Sequence, residues 1–300
     1  MNAAERRPPI DRPASMDARI WRSKTLSQNF LRDNRLIGSL VARSGITKDD
    51  TVLDIGAGKG LITRELAKRC RTVLAVEKDT VLVAHLQAAL RGFTNVEIIA
   101  ADILDLKLPV HPYKVFASIP YGSTATIIKK LTNSPTPPIA AHIVVQAEAA
   151  SKFIGDPRMT LSALFLKPWF RIVVAHHFDR RDFCPMPSID SVLLRIDKRQ
   201  NPLLTPAARM PYRDFVVYCF GNACQSLYPL LEQLIGAPAM HALSSTFRLS
   251  RSVTPSEIEF GLWLCLFRAF TEHGSRFARR LVAGSELRLK NQHARLCPQR

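Results

Sequence analysis

Thr51-Val52-Leu53-Asp54-Ile55-Gly56-Ala57-Gly58-Lys59-Gly60 is the stretch that decides the fold. An apolar run ending in an acid reads as a strand. Three glycines follow at alternate positions, and Leu61, Ile62, Leu66 and Ala67 then supply an apolar face at helical spacing. Strand, glycine turn and helix, in that order, form a cradle for a nucleotide-bearing cofactor in an open α/β sheet. Glycine suits the turn because the backbone bends sharply and passes close to a ligand, where a Cβ would collide. The spacing is Gly-x-Gly-x-Gly. A dinucleotide fingerprint would put its third glycine at position 61, which is Leu61. The pattern therefore favours S-adenosyl-L-methionine over a nicotinamide dinucleotide, with a bare strand-to-helix turn as the plainer alternative.

The neighbouring segments extend the same pattern. Val73-Leu74-Ala75-Val76 is continuously apolar, as expected of a parallel strand buried on both faces. It ends in Glu77, in register to accept ribose hydroxyls. Val96-Glu97-Ile98-Ile99-Ala100 ends in Ala101-Asp102-Ile103, where a carboxylate can accept from an adenine amino group. Asp54, Glu77 and Asp102 thus close three successive strands, at the end where parallel sheets bind ligands. A fourth strand is expected at Val115-Phe116-Ala117 and a fifth from Ile139 to Val145. Helices are expected from Val81 to Leu90 and from Glu148 to Phe153. Further strands are expected near 161–166 and 169–178, and a last one over Ser191–Ile196.

At the amino-terminal side, Ser27-Gln28-Asn29-Phe30-Leu31 precedes an amphipathic helix through Leu36, Ile37, Leu40 and Val41. It suits a lid over a bound ligand, or simply a helix cap. Pro202 and Pro206 mark a linker to helices at 215–220, 227–235 and 258–270, with Thr254-Pro255-Ser256-Glu257 as a helix start. Four segments are expected: a basic flexible arm over 1–22, a catalytic domain over 23–200, a helical domain over 201–272 and a loosely ordered basic tail over 273–300.

The 300 residues hold 42 Lys and Arg against 25 Asp and Glu, a formal net charge of +17. So basic a chain points to a polyanionic partner, most often nucleic acid. Both ends carry the charge, through Arg6, Arg7, Arg12, Arg19 and Arg22 and through Arg276, Arg279, Arg280, Arg288, Arg295 and Arg300. The arm reads equally as an inert extension or as an RNA contact. The six cysteines, at 70, 184, 219, 224, 265 and 297, contain no Cys-x-x-Cys pair, so a zinc ribbon and a redox motif are unsupported. No signal peptide and no bilayer-spanning run is read. A monomeric cytoplasmic protein without metal is expected.

The chemistry is expected at Ser118-Ile119-Pro120-Tyr121, which fits an amino-methyltransferase pattern of a small polar residue, an apolar residue, proline and an aromatic. An exocyclic amine on a base is a poor nucleophile, because its lone pair is delocalised. The Ser118 oxygen and the Ile119 carbonyl can hold its hydrogens, and those contacts strengthen as the nitrogen becomes positive. Pro120 fixes the turn, and Tyr121 offers a face for stacking. Methyl transfer then requires alignment rather than a strong base. Phe183, in the stiff loop Phe183-Cys184-Pro185-Met186-Pro187, either closes the other face of the ring or is a core phenylalanine.

In these residues and their order, the chain resembles the Erm family of rRNA adenine N6-methyltransferases from about Ser27 to Phe270. The resemblance rests on Ser27–Leu31, Asp54–Gly60, Glu77, Asp102-Ile103, Ile119-Pro120-Tyr121, Gln146-Ala147-Glu148-Ala149-Ala150, Lys167-Pro168-Trp169-Phe170, and Phe183–Pro187 with Asp190–Leu194. It implies an α/β, Rossmann-like S-adenosylmethionine-dependent methyltransferase sheet with a small all-helical C-terminal domain. It implies one unpaired or flipped adenine of 23S rRNA as acceptor, and with it resistance to macrolide, lincosamide and streptogramin B antibiotics. By motif position it puts Asn29, Leu31, Gly56, Gly58, Glu77, Asp102, Ile103 and Ser118 at the cofactor, and Tyr121 and Phe183 around the base. The family normally carries Asn where this chain has Ser118, which leaves open mono- against dimethylation. The alternatives are a small-subunit rRNA adenine dimethyltransferase and a non-catalytic RNA-binding protein on the same fold.

Overall fold

The computed structural model describes residues 30–223 and 226–296. The arm over 1–22 and Ser27, Gln28 and Asn29 lie outside the described residues. After a two-residue strand β1 (Phe30–Leu31) and helix α1 (Asn34–Arg43), the chain alternates strand and helix. The order is β2 (Thr51–Ile55), α2 (Leu61–Ala67), β3 (Thr72–Glu77), α3 (Thr80–Ala89) and β4 (Val96–Ala100). Then come β5 (Lys114–Ser118), α4 (Thr124–Asn133), β6 (Ala140–Gln146), α5 (Ala147–Ile154), α6 (Leu161–Leu166), β7 (Phe170–His177), β8 (Phe183–Cys184) and β9 (Ser191–Lys198).

Seven strands form one sheet in the order β4-β3-β2-β5-β6-β9-β7. The first five are parallel, and β9 and β7 add antiparallel strands at the far edge. The chain lays β3 and β4 on one side of β2, then returns to lay β5 and β6 on the other. The order therefore reverses between β2 and β5, which opens a crevice at their carboxyl ends. Val52, Leu53, Val115, Phe116, Ile143 and Leu194 are fully buried, as continuous apolar strands covered on both faces must be.

The segment 161–166, expected as a strand, is helix α6. Six residues, five of them apolar, cannot distinguish strand from helix by periodicity. Thr160 decides, because its hydroxyl accepts the Ala163 N–H at 3.1 Å and caps a helix start.

Beyond the sheet lie α7 (Arg209–Asn222), α8 (Tyr228–Ile235), α9 (Ala237–Phe247) and α10 (Phe260–His273). The expected helix start at 254–257 is a 3₁₀ turn with a capping box, two residues short of α10. Trp169 meets Tyr212 edge-on at 6.1 Å, and Phe215, Trp263, Phe267 and Phe270 continue the aromatic packing. One apolar core thus runs from the sheet into the helices.

The tail after 273 is not loosely ordered over the described residues. It forms α11 (Arg276–Val282) and α12 (Ser285–Leu296). Asp214 on α7 accepts the N–H groups of Gly284 and Glu286 at 2.8 and 2.9 Å, capping the start of α12. A carboxylate there satisfies otherwise unpaired amides and complements the helix dipole. Ala278 and Val282, one turn apart, are buried, while Arg276, Arg279 and Arg280 face out.

Candidate active site

The glycine loop is built as its spacing predicts. Gly56, Gly58 and Gly60 all have positive φ, at 71°, 56° and 78°. A Cβ on Gly60 would come within 2.9 Å of the Leu86 side chain, so this glycine lets α2 pack close to α3. A Cβ on Gly56 would come within 3.5 Å of the Ser118 carbonyl oxygen, across the crevice between β2 and β5. The N–H groups of Gly56 and Ala57 donate to the Val76 carbonyl and tie the loop to β3.

Glu77, only 4% exposed, is held by backbone amides. Its Oε2 accepts from Gly58 N–H at 3.0 Å, and its Oε1 accepts from Lys78 and Asp79 N–H, both at 2.9 Å. A carboxylate offers about four acceptor directions. Three are taken, so Oε2 keeps about one for a ligand, fewer than the two hydroxyls expected from the sequence. Asp102 accepts the Leu104 N–H at 2.9 Å and pairs with Lys78 at 3.3 Å. The Leu104 amide first, and then Lys78, hold its carboxyl below the ordinary range.

Asp54 departs from the row of three strand-end acids. It is 0% exposed and lies beneath the loop rather than in the crevice. Burial, with the Glu77 charge adding to it, pushes its carboxyl up to about 7, against a Thr63 hydroxyl that donates to Oδ2 at 2.6 Å. Asp54 is therefore a structural acid.

The strand-end pocket, about 110 Å³, brings together Gly56, Glu77, Asp102 and Ile103 with Ser118, Ile119, Pro120 and Tyr121. A smaller recess of about 30 Å³ continues past Gly56 and Ser118 to Leu31 and Lys59. Of the described residues expected at the cofactor, Gly58 alone borders neither space; its N–H donates to Glu77. Glu77 and Ser118 thus sit on opposite sides of one trough at the switch point.

Tyr121 has a support that no local pattern reveals. Its hydroxyl and that of Ser191, at the start of β9, lie 2.7 Å apart. Ser191 is buried, and its position 70 residues away explains why sequence reasoning missed it. Phe183 does not line the strand-end pocket. The ring is 2% exposed and packs edge-on against Phe178 at 5.3 Å. Its strand pairs with β1, Phe183 opposite Leu31, and it belongs to the small core that contains Leu31, Phe116 and Leu193. Of the two readings of Phe183, the core phenylalanine is the one this arrangement contains. Among the described residues no group of three His, Cys, Asp or Glu is placed to hold a metal ion, and no helix is long and apolar enough to cross a membrane.

The family model for ribosomal RNA adenine dimethylase matches residues 22–272. A Saccharopolyspora erythraea protein named rRNA adenine N-6-methyltransferase is 35% identical over 252 residues, covering 81% of this chain and 64% of that longer relative. A Levilactobacillus brevis protein named ribosomal RNA small subunit methyltransferase A is 28% identical over 289 residues, covering 89% of this chain and 98% of its own. Among solved structures, the 23S rRNA methyltransferase ErmE superimposes with a TM-score of 0.75 at 32% identity, covering 81% of this chain and 100% of that one.

Proposed function

This chain belongs to the ribosomal RNA adenine dimethylase family, and from that premise we propose that it methylates N6 of one adenine in 23S rRNA, using S-adenosyl-L-methionine. The observation that carries the reading is the meeting of Glu77 and Gly56 with Ser118–Tyr121 in one trough at the sheet's switch point. Likeness to the 23S methyltransferase ErmE across all of that chain supports the large-subunit substrate. In a cell, the product would protect the ribosome from macrolide, lincosamide and streptogramin B antibiotics. The protein would act as a monomer in the cytoplasm, where its rRNA is.

The residues fit the cofactor. Gly56 leaves open the gap toward Ser118 that a side chain would fill, and Glu77 Oε2 retains an acceptor direction for a ribose hydroxyl. Asp102 and Ile103 border the space suited to an adenine ring, and Leu31 walls the recess. Asn29, assigned to the cofactor by motif position, lies outside the described residues. When bound, S-adenosylmethionine supplies an electrophilic methyl on a sulfonium.

The chain's own work is to hold the amine. Ser118 Oγ and the Ile119 carbonyl accept its hydrogens, and they bind more tightly as the nitrogen gains charge in the transition state. Pro120 sets the turn that aims them. Tyr121 stacks on the base, worth ~1–3 kcal/mol, with its ring orientation fixed through Ser191. Phe183 anchors the loop beside the site. The adenine must leave any duplex to enter. Ser118, shorter than the family's Asn, favours a single methylation, because a second transfer requires the amine to be held in a new pose.

Incubation with labelled S-adenosylmethionine and naked 23S or 16S rRNA tests the proposal. Label in 23S alone supports it. Label in 16S alone supports the small-subunit reading, which the Levilactobacillus relative favours by name. Label in neither, with intact S-adenosylhomocysteine binding, would leave the non-catalytic reading.

A further inference from the structure

The loop between β8 and β9 has a feature that the reaction as derived does not use. Its ends are pinned. On one side Phe183 is buried, β8 pairs with β1, and the Arg32 N–H donates to the Asp182 carbonyl at 3.0 Å. On the other, the Asp190 carbonyl accepts the Ala147 N–H at 2.9 Å, and Arg180 Nε donates to the Asp190 carboxylate at 2.7 Å. Pro185 and Pro187 flank Met186 and restrict the backbone there. Yet Met186 is 65% exposed and Ile189 is 44% exposed. Two large apolar side chains are thus held in water on a stiff loop whose last turn leads into Ser191, the support of Tyr121. Arg180 and Arg181 are exposed on the turn before the loop, paired with the exposed carboxylates of Asp190 and Asp179.

A base leaving a helical stack opens a gap whose neighbours lose their stacking partners. Nucleic-acid-bending proteins fill such gaps with apolar side chains, methionine and isoleucine among them. A thioether is well suited, being flexible and favourable against aromatic faces. We propose that Met186, with Ile189 beside it, is the wedge that enters the RNA stack in place of the target adenine. Arg180 and Arg181 exchange their carboxylate partners for the flanking phosphates. This rests on the methyltransferase reading above, and it assigns to this loop the extrusion step that the reading requires.

Two short RNAs test it. One holds the target adenine paired in a stem; the other presents the same adenine in an open internal loop. Met186→Ala with Ile189→Ala should lower kcat/KM on the paired RNA by about tenfold or more, and on the open RNA by less than about twofold. S-adenosylhomocysteine affinity and melting temperature should not change. Met186→Leu should restore most of the rate on the paired RNA. With 2-aminopurine at the target position, the wild type should brighten the paired RNA on binding and the double variant should not. Equal losses on both RNAs, no loss on either, or unchanged 2-aminopurine brightening would overturn the wedge. A wild type inactive even on the open RNA would instead overturn the methyltransferase reading itself, while the 2-aminopurine signal would still report on extrusion.

Discussion

Glu77→Ala perturbs both the loop and the ligand, and the two effects separate. The Glu77 carboxylate gathers three backbone N–H groups, from Gly58, Lys78 and Asp79, at 2.9–3.0 Å. Hydrogen bonds to a charged group are each worth about 1.5–3 kcal/mol, but the three share one carboxylate and are not additive. Water can enter the small space left by the side chain and satisfy some of the donors. We expect a stability loss of about 2–4 kcal/mol, against 3 × 1.5 or more if nothing compensated. For a chain of this size that is a fall of roughly 3–6 °C in melting temperature. The lost acceptor for a ribose hydroxyl should weaken S-adenosylhomocysteine binding by about tenfold or more, or 1.4 kcal/mol. Differential scanning calorimetry and titration calorimetry at one pH read the two effects. A less stable protein with unchanged ligand affinity would show that Glu77 only builds the loop. No change in either would refute the reasoning about this carboxylate altogether.

Ser118→Ala should reduce the single-turnover methyl-transfer rate while leaving RNA and S-adenosylhomocysteine affinity nearly unchanged, since the contact strengthens only in the transition state. Ser118→Asn should keep activity and shift product toward N6,N6-dimethyladenine, read by mass spectrometry. Ser191→Ala should free the Tyr121 ring and lower kcat by about tenfold with little change in melting temperature, because the lost bond is one neutral pair worth about 1 kcal/mol; Ser191→Thr should recover part of the rate. His142 is buried against Phe116, and burial, helped by Arg195, lowers its pKa from 6.5 to about 4. Its neutral form is favoured in the fold, so its contribution is complete above pH 6.5 and is lost as pH falls toward 4; denaturation should show wild type losing roughly 2–3 kcal/mol more than His142→Gln over that window. Asp54 titrates in the opposite sense and is common to both proteins. Arg276→Ala with Arg280→Ala should flatten the dependence of log RNA affinity on log salt by about 0.7 for each lost single-strand phosphate contact, with cofactor affinity unchanged; an unchanged slope would show that these arginines do not touch RNA.

The sheet and the trough were legible because their determinants are local. The strands at 51–55 and 72–77 are short, mostly apolar runs buried along most of their length, and the glycines announce a turn that only positive φ can make. What escaped depends on distant partners or on ambiguous windows. α6 is six residues, five of them apolar, too few for a helical period to emerge. α9 has Pro238 in its first turn and small residues after it, so its apolar face is weak. α11 and α12 are rich in basic residues; Ser275 caps α11, and the cap of α12 is supplied by Asp214 some 70 residues earlier. The Tyr121–Ser191 pair is equally nonlocal. Asp54 and Phe183 show the reverse limit: residue type and spacing suggested ligand contacts, and burial gives both to the interior.

The central claim is that this trough transfers a methyl group to N6 of one 23S adenine. Its most direct test is to treat naked 23S rRNA with the protein and S-adenosylmethionine, digest the RNA, and map the modified nucleotide by mass spectrometry, with Tyr121→Ala run in parallel. We predict N6-methylated adenosine at a single 23S position for the wild type, and strongly reduced product for Tyr121→Ala at undiminished S-adenosylhomocysteine affinity. Methyl groups on another atom or base, or full activity without the Tyr121 ring, would contradict the account.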